Sequence, residues 1–305
     1  MIVLSAGGHW ISGTECTIQV HAEPDSLAKP MVLRWVIHKN ETVIKTGDVK
    51  LDKETPDATI RLVLPEVRAE TQVELVIKRL PGEGEADKEE LIRKEITLYP
   101  PRKKTNFAKL LGRRKLVVLE SDEKYSASLK ELKLRHLRLN RLSSLTLQNP
   151  DVMIVATNAL TDEKNFDVLL DHAQAGALVV IFGHHGIDGF LDHGLPNGEV
   201  VEISQPESLQ WNRSHPLATS MTYISRWPDS EKIYALRLQG DATESAVAWA
   251  AQENKIDTGK ADAKDCFLAS FPVGKGRVVV CMADFERPGE DVRFQELLNS
   301  ILDSK

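Results

Sequence analysis

Eleven consecutive residues, Gly183-His184-His185-Gly186-Ile187-Asp188-Gly189-Phe190-Leu191-Asp192-His193, hold three histidines and two aspartates. Imidazole nitrogens and carboxylate oxygens at that density are ligand types for zinc or manganese. The spacing matches no standard metal motif, and a glycine-rich polar loop also serves simply to cap a strand end. The segment closes an apolar run at 178–182, and three other apolar runs end in polar residues of the same kind. Glu120, Ser121 and Asp122 close 115–120, Thr157 and Asn158 close 151–157, and Asp284 follows 277–282. If these runs are parallel strands of one sheet, Glu120, Asp122, Asn158, His184, His185 and Asp284 gather at its carboxyl edge, where open α/β sheets collect ligands. They are the candidate ligand-binding residues of the chain. No catalytic residue is assigned and no cofactor is expected.

Nucleophilic chemistry has less to work with. Cys16, Cys266 and Cys281 each lie inside a strand-like apolar stretch, not on a strand-to-helix turn. They read as small buried hydrophobes, unlinked, and too scattered for a disulfide framework or a zinc site. The chain contains no Gly-x-Ser-x-Gly elbow, no His-Glu-x-x-His and no P-loop. Trp211-Asn212-Arg213-Ser214-His215-Pro216-Leu217 offers an indole face to a partner or a sugar ring, unless Trp211 and Leu217 pack back on the sheet. His9, Trp10 and His38 admit the same two readings, a carbohydrate-stacking or metal patch, or ordinary strand-end structure.

The formal charge of −6 is mild for 305 residues. Lys and Arg cluster at 102–104 and 113–115 and along 130–141, but aromatics are few and acids are mixed in throughout, so nucleic-acid binding is not expected. No apolar run approaches the roughly 18–20 residues of a membrane span. The start lacks the basic flank and long apolar core of a signal peptide. A soluble chain is expected, either cytoplasmic or a fragment of a longer exported protein.

Two rhythms divide the elements that must position these residues. Up to about residue 100, apolar residues alternate with a period of two: Cys16, Ile18 and Val20; Leu33, Trp35 and Ile37; Ile60, Leu62 and Leu64; Val73, Leu75 and Ile77; then Ile96 and Leu98. Turn chemistry separates them, at Lys39-Asn40, Thr46-Gly47-Asp48 and Pro81-Gly82-Glu83-Gly84 among others. Short strands without a helix predict an antiparallel β-sandwich of immunoglobulin-like type over 1–100. The basic stretch 101–113, opened by Pro100-Pro101, reads as a linker. From 114 to 305, buried strands alternate with helix-like segments at 125–147, at 161–175 (capped by Thr161 and stopped by Gly176), and at 292–302. That alternation predicts a doubly wound α/β sheet of flavodoxin-like kind.

The run 149–164 followed by Leu169-Leu170-Asp171-His172-Ala173-Gln174-Ala175-Gly176-Ala177-Leu178-Val179-Val180 resembles the class I glutamine amidotransferase-like fold in its non-catalytic members. Ala6-Gly7-Gly8-His9-Trp10-Ile11-Ser12-Gly13, Leu33-Arg34-Trp35 and the Leu98-Tyr99-Pro100 exit are similar to β-sandwich modules that follow the barrel of family 2 glycoside hydrolases, the β-galactosidase type. True amidotransferases of this fold carry a cysteine in a Gly-x-Cys-x-Gly elbow. This chain has Gly183-His184-His185-Gly186 there, so the resemblance implies a degenerate domain without its nucleophile. It also implies an accessory region that docks a protein, its own catalytic domain or another copy, with carbohydrate as a further candidate ligand. The alternative is a metal-dependent enzyme or small-ligand binder that uses the strand-end cluster.

Overall fold

The computed structural model describes residues 2–5, 9–23, 27, 29–80, 89–101, 105–161, 166–184, 186–193, 198–204, 206, 208–218, 221, 224, 233–250, 263–283, 285 and 287–303. The chain divides into two compact units, Met1–Lys104 with Glu290–Val292, and Thr105–Gly289 with Arg293–Lys305.

The first unit contains strands β1 (Ile2–Ser5), β2 (His9–Ile11), β3 (Glu15–Ala22), β4 (Met31–Lys39), β5 (Thr42–Leu51), β6 (Asp57–Val63), β7 (Thr71–Arg79) and β8 (Glu89–Tyr99). One sheet runs β1-β3-β6 and the other β2-β8-β7-β4-β5. Neighbours are antiparallel except β2 with β8, which are parallel. The alternating residues of both sheets, among them Ile18, Val20, Trp35, Ile37, Ile60, Leu75 and Leu98, join a single buried cluster. The period-two pattern therefore turns one face of each sheet inward, and the two sheets close over one core.

One turn expectation is overturned. Thr46-Gly47-Asp48 lies inside β5, with Gly47 directly across from Trp35. A Cβ built at Gly47 would stand 2.6 Å from the Trp35 ring, so the glycine is there to admit the indole. The reversal sits instead at Asn40, whose φ of 53° an Asn side chain tolerates.

The second unit is built on a mixed sheet. Strands β9 (Leu116–Leu119), β10 (Leu137–Leu139), β11 (Val152–Ala156), β12 (Leu178–Phe182) and β18 (Gly276–Cys281) are parallel in the spatial order β10-β9-β11-β12-β18. Beyond β18 the sheet continues antiparallel through β17 (Lys264–Val273), β15 (Ile233–Leu238) and β13 (Gly198–Ile203), while β16 (Ala246–Ala250) pairs β17 and carries β14 (Leu209–Trp211). The sequence pattern did not anticipate this extension. Alternate residues of the parallel strands enter two separate cores: Leu116, Val118, Ile154 and Val180 join one, and Val117, Leu119, Val155 and Ile181 the other. Helices α1 (Phe107–Leu111), α2 (Lys124–Glu131) and α5 (Val292–Asp303) supply the first core, and α3 (Asp167–Ala175) and α4 (Ile187–Leu191) the second. Two-sided burial is why β9, β11 and β12 read as unbroken apolar runs.

Three expectations need correction here. The 125–147 stretch is not one helix. The left-handed Lys133 (φ 59°) and a 2.8 Å bond from the Leu134 N–H to the Leu129 carbonyl end α2, after which 137–139 form β10 and Leu142–Leu147 a 3-10 turn. Nor is 101–113 linker throughout, since Asn106 caps α1 and Phe107 and Leu111 are buried in the second unit's core. Finally, Thr161 does not cap α3, whose first residue is Asp167; its hydroxyl donates to the Asn158 carbonyl at 3.1 Å. Gly176 does stop that helix, with φ 123°. Among the described residues no helix is long and apolar enough to cross a membrane.

Trp35→Ala should lower the stability of the first unit by about 3–5 kcal/mol in a denaturant titration. Gly47→Val should also destabilise it, by displacing the same indole. A loss under about 1 kcal/mol for Trp35→Ala would mean that this ring is not a core anchor.

Candidate functional site

In the parallel half of the second unit, the chain enters at β9, moves outward to β10, and then crosses back to β11 on the other side of β9. Connections that leave in opposite directions open a crevice beyond the carboxyl ends of β9 and β11. Glu120 to Glu123 form one lip, and Thr157 and Asn158 the other. The Asn158 amide Nδ2 donates to Asp122 Oδ2 at 3.0 Å across the gap. Asp122 Oδ1 in turn accepts the Lys124 N–H at 3.2 Å. The other end of the amide, Asn158 Oδ1, is buried and has no hydrogen-bond partner among the described residues. The exposed Asp122 carboxylate is left as the acceptor of this lip for hydroxyl or amine donors.

Glu120 is placed at the same edge but does different work. It is fully buried, and its two oxygens accept the N–H groups of Tyr125 and Ser126 at 2.8 and 3.0 Å. These are first-turn amides of α2, whose N-cap residue Glu123 makes no side-chain cap bond. A carboxylate there satisfies orphan donors and meets the positive end of the helix dipole. Arg138 on β10 completes the arrangement. Its Nε lies 3.4 Å from Glu120 Oε1, Nη1 donates to Glu123 Oε1 at 3.1 Å, and Nη2 to the carbonyls of Asp122 and Ser121 at 2.9 and 3.3 Å. Sequence reading missed Arg138, because Leu137 and Leu139 on either side of it were counted as one face of a helix.

The third loop does not join this pair. Gly183 has φ 100°, and a Cβ on it would come 2.6 Å from Thr157 Oγ1, so only glycine fits. His184 stacks on Tyr234 of β15 with ring centroids 4.0 Å apart and planes 15° from parallel. His185 and Asp284 lie outside the described residues. Of the remaining ligand types in the 183–193 loop, Asp188 is in α4, and His193 sits edge-on to Phe166 with Nδ1 3.8 Å from Asp167 Oδ1. Among the described residues no group of three or more His, Cys, Asp or Glu side chains comes together.

The other candidates resolve into structure. Trp10 is in the first unit's core, while His38 contacts the Asn40 carbonyl at 2.7 Å and Glu74 at 3.3 Å. None of the three cysteines is in a disulfide. Burial pushes the Cys266 thiol up to about 12 and the Cys16 thiol to about 11. Thiols so raised hold less than about one part in ten thousand of the reactive thiolate at neutral pH. Trp211 donates from its indole to the Ile224 carbonyl at 2.8 Å, and Leu217 is fully buried, so this segment packs back on the sheet. His215 accepts the Leu217 N–H on Nδ1 at 3.2 Å; burial, and then the nearby Arg277, hold its pKa below the ordinary 6.5.

No family model matches the chain, and no curated protein matches its sequence. Among solved structures, a catalytic mutant of Gan42B, a GH42 β-galactosidase from G. stearothermophilus, is similar over 62% of this chain and 30% of that one, at 10% identity and TM-score 0.38. A marsupial T cell receptor covers 34% of this chain and 37% of its own, at 9% identity and TM-score 0.24. The soluble domain of PmoD from Methylocystis sp. matches 32% of this chain and 90% of its own, at 6% identity and TM-score 0.25. The chain thus spans under a third of the length of the β-galactosidase.

Two measurements check this site. Glu120→Ala leaves α2 uncapped and removes the acid beside Arg138, and should cost the second unit about 3–5 kcal/mol, read from hydrogen exchange of the β11 and β12 amides. Asp122→Ala, at an exposed position, should cost less than about 1 kcal/mol. For His215, a pKa lowered on folding means that its contribution is complete above 6.5 and is lost as pH falls through the lowered value. The second unit should therefore melt at a lower temperature on acidification below about pH 6.5, and His215→Gln should flatten that dependence.

Proposed function

We propose that this chain is a non-catalytic accessory region, probing or docking a protein partner, its own catalytic domain or a second copy. In this reading an immunoglobulin-like sandwich precedes a degenerate amidotransferase-like domain of a glycoside hydrolase-type protein. The carrying observation is the state of the strand-end groups. Glu120 is used up as the α2 cap, His184 rests on Tyr234, and the half-buried Cys16 and buried Cys266 thiols are raised far from reactivity. An acyl-transfer site needs an activated nucleophile with a base in reach, and these residues do not supply one. The strand order β10-β9-β11-β12-β18, which is 2-1-3-4-5 in chain order of the parallel strands, supports the flavodoxin-like reading of the second unit. The three-strand and five-strand sheets, with the first strand split between them as β1 and β2, support the immunoglobulin-like reading of the first.

A second reading has one observation in its favour. Asp122 presents an exposed carboxylate at the switch point, an acceptor that suits a small polyhydroxy ligand. Saturation-transfer NMR with common monosaccharides would support it if a signal appeared that Asp122→Ala removed.

The accessory reading is tested by incubating the purified chain with glutamine and with chromogenic glycosides. Neither ammonia nor chromophore should be released above the buffer rate. Release that disappears in His184→Ala would overturn the proposal and make the strand-end loop an active site.

A further inference from the structure

The opposite end of the same sheet carries a cavity of about 830 Å³, formed entirely by residues of the second unit. Its floor is the amino ends of β11, β12 and β18, and its walls come from α1 and the last turn of α5. Four basic side chains line it, Lys109, Arg114, Lys275 and Arg277, against two acids, Asp151 and Asp303. That excess of cations runs against the net charge of −6 on the whole chain.

The lining groups are not equally available. Arg114 spends its guanidinium on the carbonyls of Leu110 and Leu302, the last turns of α1 and α5. Asp151 Oδ2 accepts the Lys115 N–H at 2.6 Å. The side-chain nitrogens of Lys109, Lys275 and Arg277 make no hydrogen bond or ion pair with a described residue. Two of these three are held on a fixed backbone. The Lys275 and Arg277 N–H groups bond to the Gln174 and Ala177 carbonyls at 3.1 and 3.2 Å, which fastens the β17–β18 turn to the end of α3. Gly276 between them approaches so closely that a Cβ would fall 2.2 Å from the Ala177 oxygen. These bonds fix where the two side chains leave the backbone, which places both cations at the same rim of the cavity.

We propose that this cavity binds a phosphorylated small molecule of about sugar-phosphate size. One guanidinium fork and two ammonium groups match a dianionic tetrahedral oxyanion, whereas a monocarboxylate would leave part of that charge unanswered. The volume lies within the range of small-ligand sites and far exceeds one phosphate ion, so the remainder of the ligand contributes contacts. The inference does not rest on the accessory reading, because it concerns the other end of the sheet.

Isothermal calorimetry on the full chain with glucose 6-phosphate, inorganic phosphate and glucose tests the proposal. Glucose 6-phosphate should bind saturably and more tightly than inorganic phosphate, and glucose should not bind. Lys275→Ala combined with Arg277→Gln should weaken glucose 6-phosphate at least tenfold, while Lys130→Ala, a lysine of α2 away from the cavity, should leave it unchanged. If the Arg277 substitution lowers the melting temperature, the exposed pair Lys109→Ala and Lys275→Ala serves instead, with the same expected weakening. Lack of saturation up to about 10 mM, equal affinity for glucose, tighter binding of inorganic phosphate, or affinity unaffected by the variants would each overturn the proposal.

Discussion

Burial of β9 on both faces delivers the chain to Glu120 with no route to water for its carboxylate. An isolated buried carboxylate costs several kcal/mol, so it must find donors within reach. The first amides of α2 are those donors, and the Arg138 guanidinium beside the carboxylate supplies the opposite charge. Much follows from this one requirement. It fixes where α2 begins, it draws β10 alongside β9 through Arg138, and it holds the 120–123 lip in the shape that brings Asp122 to Asn158. The crevice at the switch point is therefore a by-product of solving a desolvation problem next to it.

Legibility from sequence tracked how locally each feature is determined. The sandwich strands declared themselves because one face is largely dry and the other largely wet, so Ile18 and Ile60 alternate with polar neighbours. The parallel strands declared themselves by the opposite sign, unbroken runs such as Val152–Ala156 that are dry on both faces. Where the pattern failed, a single residue decided the matter. Leu129, Leu132 and Leu134 have helical spacing, yet Lys133 adopts φ 59° and the helix ends there. Gly47 looks like turn chemistry and is packing chemistry, since its missing Cβ is the space that Trp35 occupies. The antiparallel extension from β13 to β17 stayed unread as a unit, although Cys266 reads as part of a strand, because it is made by pairings between segments far apart in sequence, such as β13 with β15.

The candidate site shows the same limit in sharper form. Glu120, Asp122, Asn158 and His184 do follow the strands after which the sequence places them, because strand ends can be counted. What each side chain does there is set by partners far away in sequence. Arg138 takes the loop of Glu120, and Tyr234 takes the ring of His184. Neither partner carries a local signal. Density of histidine and aspartate in one loop was thus a poor guide to convergence, since helix α4 and the Phe166 contact spread the described members apart.

The two ends of the α/β sheet handle charge in opposite ways, and the difference bears on where a ligand can gain most. At the carboxyl end, the acids are largely answered from within: Glu120 by α2 and Arg138, Glu123 by Arg138, Asp122 by Asn158 and the Lys124 N–H. A ligand arriving there competes with bonds that already exist. At the amino end, the internal demand is for donors to carbonyls, and Arg114 meets it at the ends of both α1 and α5. Lys109, Lys275 and Arg277 are left over from that accounting. A charge without an internal partner is kept hydrated until an anion displaces the water, so the free-energy gain on binding is larger where the fold has not already spent its donors. On that ground the amino-end cavity, which no strand-end motif in the sequence advertises, is the stronger ligand site of the two.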